Sequence, residues 1–135
     1  MGFLDRVRTL FTSGERPELS PDTPDLAVVA GSFDDAEAAS VALTRSGELR
    51  PGEPAVLRHH LVLPADRLDE AAGLIAQDGY VLREIGVDDS GLTRVHALRA
   101  QVPTALECSR ERSRMAGLAA RLGGDALGWD VLQTR

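Results

Sequence analysis

Three histidines are the first residues of this sequence that could do chemistry, and metal binding is the chemistry they suggest. His59 and His60 are adjacent in the apolar run at 55–64, and His96 lies in a later apolar run. Neighbouring residues of a strand point to opposite faces, so at most one of the adjacent pair can share an ion with His96. A zinc site needs a further protein ligand, and Cys108 is the candidate. The metal hypothesis therefore depends on where Cys108 lies.

Cys108 is the only cysteine, and its helical neighbours argue against both metal binding and nucleophilic catalysis. On a helical wheel it falls with apolar side chains, which are Met115, Leu118, Ala119 and Leu122. A nucleophilic thiol instead needs an electropositive, partly exposed setting and an oriented base. The sequence also lacks a Gly-rich phosphate loop, a Gly-x-Ser-x-Gly elbow and a His-Glu-x-x-His motif. We therefore expect no catalytic residue, no metal site and no cofactor, and hence a protein that is not an enzyme.

The same predicted helix, residues 104–122, carries a one-sided stripe of arginines. Arg110, Arg114 and Arg121 fall within about 40° of one another at 100° per residue. Glu107 precedes Arg110 by three residues and can hold part of the stripe in a weak exposed ion pair. The stripe is then either a solvated face or a docking surface for an acidic segment or RNA. Aromatic residues are only 4% of the chain, so recognition by base stacking, and with it direct nucleic-acid binding, is not expected.

Periodicity and turn residues predict the elements that position these side chains. Leu57, Leu61 and Leu63 alternate with Val56 and Val62, which is typical of a strand with two apolar faces. The full prediction is strand 26–33, helix 34–47, strand 55–64, helix 65–79, strands 80–87 and 92–101, helix 104–122 and strand 126–132. The order β-α-β-β-α-β over 55–132, behind an extra N-terminal β-α unit, predicts an α+β, ferredoxin-like two-layer sandwich.

Capping residues predict where the helices begin and end. Asp34 with Glu37 is the predicted start of the first helix, Asp66 caps the second, and Thr104 caps the third. Glycines mark the helix ends, at Gly47, Gly79 and Gly123-Gly124. Residues 88–91, which read Asp-Asp-Ser-Gly, predict a hairpin turn.

Two segments precede the predicted domain, which spans residues 26–135. Residues 1–11 place Phe3, Leu4, Val7, Leu10 and Phe11 on one face of a short amphipathic helix. This helix could dock on its own domain or a sister chain, fray, or lie on a membrane surface with its arginines toward lipid. Residues 12–25 contain three prolines and one large apolar residue, Leu19, which predicts a flexible acidic linker.

Length and charge indicate one soluble domain. The 135 residues include 21 acidic and 15 basic side chains, and ten of the acids lie within residues 1–55. A globally acidic chain isn't steered toward nucleic acid by its net field. The sequence shows no membrane-spanning run and no signal-peptide pattern, which predicts a cytoplasmic protein with no membrane partner.

Short motifs on this frame resemble the family called regulator of ribonuclease E activity B, the ribonuclease E inhibitor. The resemblance covers about residues 56–132 and rests on four pieces in order: Arg58-His59-His60-Leu61, Asp78-Gly79-Tyr80-Val81, Gly123-Gly124 at a helix end, and Gly128-Trp129. It implies a ferredoxin-like, non-enzymatic protein that binds an endoribonuclease and inhibits or redirects RNA decay. This chain departs from the family in carrying its acidic residues before the domain and in having no acidic tail. That departure puts the partner in more doubt than the fold.

The function predicted from these features is regulation of an endoribonuclease or RNA-decay complex by protein–protein contact. The predicted partner-binding residues are His60, Tyr80, Arg110, Arg114, Arg121 and Trp129. The alternative for the aromatic residues and histidines is simple packing at strand ends. The alternative function is a ferredoxin-like small-molecule sensor or oligomerisation domain, and a homodimer is compatible with either function.

Overall fold

The computed structural model describes residues 18–135, which form one antiparallel sheet and its helices. The predicted N-terminal helix, residues 1–11, and the first part of the predicted linker lie outside the described residues. In chain order the elements are β1 (Leu26–Ser32), α1 (Ala39–Thr44), β2 (Ala55–Leu63), a 3₁₀ turn (Ala65–Arg67), α2 (Leu68–Ala76), β3 (Val81–Val87), β4 (Thr93–Gln101), α3 (Ala105–Arg121) and β5 (Asp125–Thr134).

The five strands follow the spatial order β1-β5-β2-β4-β3, and every neighbouring pair is antiparallel. β2 is the central strand, with β5 on one side and β4 on the other. β1 and β3 therefore form the two edges of the sheet. The predicted α+β class is confirmed, with the extra N-terminal β-α unit adding an edge strand beside β5.

All three helices pack on the same face of the sheet, which we call the helix side. Leu61 and Leu63 of β2 pack with α2 and α3 through side chains that include Ile75 and Met115. The other odd-numbered residues of β2 include Leu57, which packs in a cluster with residues of α1 and α3. Because alternate strand residues share a face, this places the helices in one layer over the sheet. The alternation predicted for 55–64 is confirmed.

The opposite face, which we call the open face, has a small apolar cluster of its own. Val56 and Leu132 are buried there, with Leu19 and Leu26 packed against them. Asp22 forms an ion pair with Arg83 of β3. Residues 18–25, the described part of the predicted linker, thus contact the sheet, because Leu19 gives them apolar surface to bury.

Helices α1 and α2 begin later than their predicted caps. α1 starts at Ala39 with no side-chain cap, because the Asp34 carboxylate instead accepts from the Ala36 N–H in a local turn, 2.9 Å away. Arg112 of α3 donates to the carbonyl oxygens of Asp34 and Glu37 and holds this turn in place. Competition between such local hydrogen bonds and helix formation is the ordinary behaviour of aspartate. The Asp34 cap was therefore wrong.

The predicted Asp66 cap was also wrong, because residues 65–67 form a 3₁₀ turn before α2. The predicted Thr104 cap is confirmed, since Thr104 Oγ1 accepts from the Glu107 N–H at 3.1 Å. The glycine pair that ends α3 is confirmed too. Gly123 has φ +87°, and a Cβ on Gly124 would collide with the Val62 carbonyl oxygen.

Within residues 18–135, no helix is long and apolar enough to cross a membrane.

Candidate functional site

The six predicted partner-binding residues lie in three different places. His60 faces the open side of the sheet, where it contacts Asp130. Tyr80 and Trp129 are buried on the helix side, with 2% and 0% exposed. Arg110, Arg114 and Arg121 lie on α3. The structure does not bring these residues together on one surface, because the sheet separates His60 from the two aromatic residues.

A cavity of about 660 Å³ opens on the helix side. Its walls are the turn before α1, the first half of α3 and the start of β5, and His59 reaches it from β2. The wall residues are mostly small, and their polar members include Ser40, Ser109, Ser113 and Arg112. His59 is 2% exposed, so it forms the buried end of this cavity.

His59 belongs to a buried polar chain that runs to α3. The Tyr80 hydroxyl donates to Glu111 Oε1 at 2.8 Å and lies 3.3 Å from His59 Nε2. Because the Tyr80 hydroxyl donates its one hydrogen to the Glu111 carboxylate, the Tyr80 oxygen can only accept from His59. The proton of the neutral imidazole is therefore on Nε2. A neutral His59 then keeps an unprotonated Nδ1, which has no hydrogen-bond partner within residues 18–135.

Two arginines enclose this chain and neutralise Glu111. Arg114 Nη2 donates to Glu111 Oε1 at 2.7 Å, and the Arg99 guanidinium lies 4.4 Å from the centre of the Tyr80 ring. Arg114 also reaches Asp78 at 2.7 Å. The Tyr80 ring is therefore held by a cation–π contact on one side and by hydrogen bonds at its hydroxyl.

Burial and these partners shift the pKa values in the chain. Burial lowers the pKa of His59 to about 4, so the imidazole is neutral at pH 7. Burial and the Glu111 hydrogen bond raise the pKa of Tyr80. Burial alone would raise the pKa of Glu111, but hydrogen bonds from Arg114 and Tyr80 outweigh it and lower that pKa. At neutral pH the chain is thus neutral His59, neutral Tyr80 and ionised Glu111.

A second polar cluster lies on the open face around Asp130. Arg58 binds the Asp130 carboxylate with two hydrogen bonds of 2.8 and 2.7 Å, and His60 Nε2 donates to it at 3.1 Å. The His60 ring contacts His96 at 4.5 Å and Phe33 at 4.8 Å between ring centres. Asp130 is 5% exposed, and its hydrogen bonds to His60 and Arg58 lower its pKa against the effect of burial.

The histidines are therefore divided between the two faces of the sheet, as their spacing predicted. Burial, then repulsion from His60 and Arg58, lowers the pKa of His96 to about 4. No group of three potential metal-ligating side chains lies together in the described part of the chain. The cross-strand pair of His60 and His96 exists, but Cys108 is on the other face of the sheet.

Cys108 and Trp129 lie in the same apolar cluster on the helix side. Burial raises the pKa of the Cys108 thiol to about 11, so the sulfur stays protonated at neutral pH. Trp129 is fully buried, and its Nε1 has no hydrogen-bond partner within residues 18–135. A buried N–H without a partner is uncommon in folded proteins.

The arginine stripe is largely compensated by carboxylates. Arg110 pairs with Glu107 at 2.8 Å, as predicted, and is 59% exposed. Arg114 is committed to Glu111 and Asp78. Arg114 therefore holds the buried chain of His59, Tyr80 and Glu111, whereas Arg110 and Arg121 face solvent.

Sequence reasoning missed the charged partners of this site, which are Arg58, Arg99, Glu111, Arg112 and Asp130. One signal was available for Glu111, because an acidic residue three positions from Cys108 falls on the inner side of an amphipathic helix. The pairing of Arg58 with Asp130 depends on the register of β2 against β5, which the sequence pattern does not specify.

Comparisons of this chain with models of protein families, with curated proteins and with solved structures found no match. The geometry above therefore carries the functional argument. The likeness to the regulator of ribonuclease E activity B stays a prediction from the sequence motifs.

Proposed function

We propose that this chain is a non-catalytic regulatory protein that binds an endoribonuclease or RNA-decay complex through protein–protein contact. The observation that carries the proposal is the free edge of β3. This outer strand pairs with β4 along one side only, and its other side has no strand partner within residues 18–135. Three of its seven residues are large, apolar and exposed: Val81, Ile85 and Val87.

The β3 edge has the properties of a surface that pairs with a protein segment. Val81, Ile85 and Val87 are 44%, 46% and 66% exposed, whereas most apolar side chains of β2 and β4 are buried. An edge strand offers unpaired backbone groups to an extended segment, and its side chains add specificity. The bulge between Glu84 and Gly86 and the charges of Arg83 and Glu84 limit indiscriminate pairing with other sheets.

The strand order supports the ferredoxin-like part of the proposal. Within residues 55–134 the order is β5-β2-β4-β3, with α2 and α3 on one face. The chain order over the same residues is β-α-β-β-α-β. A split β-α-β sandwich would have this arrangement, and in our proposal β1 with α1 extends it at the β5 edge.

The chemistry of the described residues favours binding over catalysis. The Cys108 thiol is protonated and buried, and the arginines around Tyr80 are paired with carboxylates. Tyr80 and Trp129 support the fold from inside, so the partner contacts we propose come from the β3 edge, with Arg110 and Arg121 as exposed charges beside α3.

The experiment that tests this proposal uses the full chain and purified ribonuclease E-type endoribonuclease from the same host. Binding is measured by biolayer interferometry at low and moderate salt, and activity by cleavage of a fluorogenic RNA. We expect a saturable complex and a changed cleavage rate. Absence of both binding and any effect on cleavage would show the proposal to be wrong.

A further inference from the structure

The cavity over His59 has the features of a ligand site that is separate from the β3 edge. Its lining includes three serines, Ser40, Ser109 and Ser113, and a histidine, His59, that is 2% exposed. Binding sites commonly combine a concave shape with a few polar groups that converge on the ligand. We propose that this cavity binds a small, neutral, polyhydroxylated molecule, a polyol or monosaccharide, through a hydroxyl that donates to His59 Nδ1.

The tautomer of His59 sets which ligand group fits. Glu111 accepts the hydrogen bond of the Tyr80 hydroxyl, and the Tyr80 oxygen in turn accepts from the N–H at His59 Nε2. Nδ1 is then an acceptor, and it lacks a partner within residues 18–135. His59 lines the cavity, so a ligand that brings a hydroxyl donor to Nδ1 can satisfy this acceptor.

Trp129 lies behind the cavity wall, at the same level of the sheet, and does not line the cavity itself. It lies directly opposite His59 in the pairing of β2 with β5, and both side chains are on the helix side. Its buried Nε1 donor also has no partner among the described residues. A hydroxyl fits this cavity, since it can donate to His59 Nδ1 and accept from the serine side chains of the wall.

The charges around the cavity favour a neutral ligand over an anion. Asp35 and Asp125 line it, and Asp35 is 95% exposed in its side chain. Arg112 is the lining arginine, but its guanidinium is bound to the carbonyl oxygens of Asp34 and Glu37. Asp35 lies 3.9 Å from the Arg112 guanidinium, and Asp125 accepts from the Ala126 N–H. Each carboxylate keeps lone pairs that can accept from ligand hydroxyls, whereas like charges repel phosphate and other anions.

The test is an NMR titration of the ¹⁵N-labelled full chain with glycerol, D-ribose and myo-inositol, and with inorganic phosphate as the comparison anion. We expect at least one of the three polyols to shift the amides around the cavity in a saturable manner and to shift the His59 Nδ1 resonance. Saturable binding by none of the three, or stronger binding of phosphate, would overturn the assignment.

Two substitutions of His59 test the roles of its two ring nitrogens separately. His59→Gln keeps a donor toward Tyr80 but removes the acceptor at Nδ1, so polyol binding should weaken about tenfold. His59→Asn keeps an acceptor near Nδ1 and should retain more of the binding than His59→Gln. His96→Gln, on the open face, is the matched control and should bind as the parent does. Equal binding by His59→Gln and the parent would contradict the proposal.

A third variant does not touch the buried chain. Ser109→Leu fills the cavity from the exposed side of α3 and should abolish the titration shifts without unfolding the protein. Retained shifts in this variant would place the binding elsewhere and overturn the site. These readouts need no ribonuclease, so they fail or succeed independently of the proposed partner.

Discussion

The Tyr80 hydroxyl donates a 2.8 Å hydrogen bond to Glu111 across the interior between the end of α2 and the middle of α3. The same hydroxyl is 3.3 Å from His59 of the central strand. One buried oxygen therefore links the sheet to two helical segments. Arg99 and Arg114 form ion pairs with the Glu111 carboxylate, so its negative charge is compensated at neutral pH.

Tyr80→Phe tests how much this link stabilises the fold. The variant keeps the ring beneath Arg99 but leaves a buried His59 donor without its acceptor. We expect the free energy of unfolding to fall by about 1–3 kcal/mol, the usual cost of an unsatisfied buried polar group. Urea denaturation followed by circular dichroism measures it. A change within about 0.5 kcal/mol would mean that the link contributes no more than an ordinary surface contact.

Arg114→Gln should destabilise the protein, whereas Arg110→Gln should not. Arg114 pairs with the buried Glu111, and its removal leaves that carboxylate to Arg99, which is 3.5 Å away. The expected loss is about 1–3 kcal/mol for Arg114→Gln and less than about 1 kcal/mol for the exposed pair of Arg110. Thermal unfolding of the two variants side by side measures both. Equal melting temperatures would show that Arg114 contributes no more to stability than a solvent-exposed arginine does.

Asp130→Asn tests the open-face cluster. The carboxylate holds Arg58 by two hydrogen bonds and His60 by a third, and it is 5% exposed. Removing its charge should lower the free energy of unfolding by about 2–3 kcal/mol, because hydrogen bonds to charged groups are stronger than neutral ones.

Glu107→Gln is the matched control for Asp130→Asn, since Glu107 forms an exposed pair with Arg110. Its expected effect is below about 1 kcal/mol. A loss as large as that of Asp130→Asn would indicate that burial is not what distinguishes the two ion pairs.

The order of elements was predictable because most of their signals are local. Alternation in residues 55–63 and the hairpin at residues 88–91 depend on neighbours in the sequence, and both appear in the structure. The Thr104 cap is local in the same sense. The Asp34 cap was wrong because the Asp34 carboxylate accepts from the Ala36 N–H in a local turn, and Arg112, 78 positions away, holds that turn in place. A pattern within one segment does not contain that contact.

The site was less predictable than the fold because it depends on the register between strands. His59 and His60 were expected on opposite faces, and the structure has them so. His60 contacts Asp130 across a separation of 70 positions, which depends on strand register. His59 is linked to Glu111 only through the Tyr80 hydroxyl, which depends on the packing of α3. Tyr80 and Trp129 were predicted either to rim a partner surface or to pack at strand ends, and the structure buries both side chains.

Ile85→Lys tests whether the β3 edge binds the proposed partner. Ile85 is 46% exposed and lies at the bulge of β3, so lysine adds a charge that a partner segment would have to desolvate. We expect binding to the ribonuclease to weaken by about tenfold or more, with little change in stability.

Val28→Lys is the control for Ile85→Lys. Val28 has nearly the same exposure, 48%, but belongs to β1 at the opposite edge of the sheet. Its partner affinity should match that of the parent in the same interferometry assay. Loss of binding in Val28→Lys alone would move the contact from the β3 edge to the β1 edge.

The lowered pKa of His59 predicts that mild acid destabilises this protein. Its pKa falls from an ordinary 6.5 to about 4 in the folded chain, so between those pH values the unfolded state binds a proton that the folded state does not. Stability is then fully present above about pH 6.5 and declines as the pH falls toward 4. A shift of this size corresponds to a loss on the order of 3 kcal/mol. Urea denaturation at intervals from pH 7 to about pH 4 measures it.

His59→Gln should remove this part of the acid sensitivity, because glutamine does not titrate. The remaining decline in that range should come from His96, whose pKa is also lowered to about 4. The double variant with His96→Gln should therefore have the flattest stability profile between pH 6.5 and pH 4, the window set by both histidines. Below that window, protonation of Glu111 and Asp130, whose pKa values are lowered, should destabilise parent and variants alike. An unchanged slope in His59→Gln would show that His59 binds its proton equally in the folded and unfolded chains. That result would contradict the lowered pKa of His59 and the acceptor assigned to its Nδ1, because a protonated imidazole donates from both nitrogens.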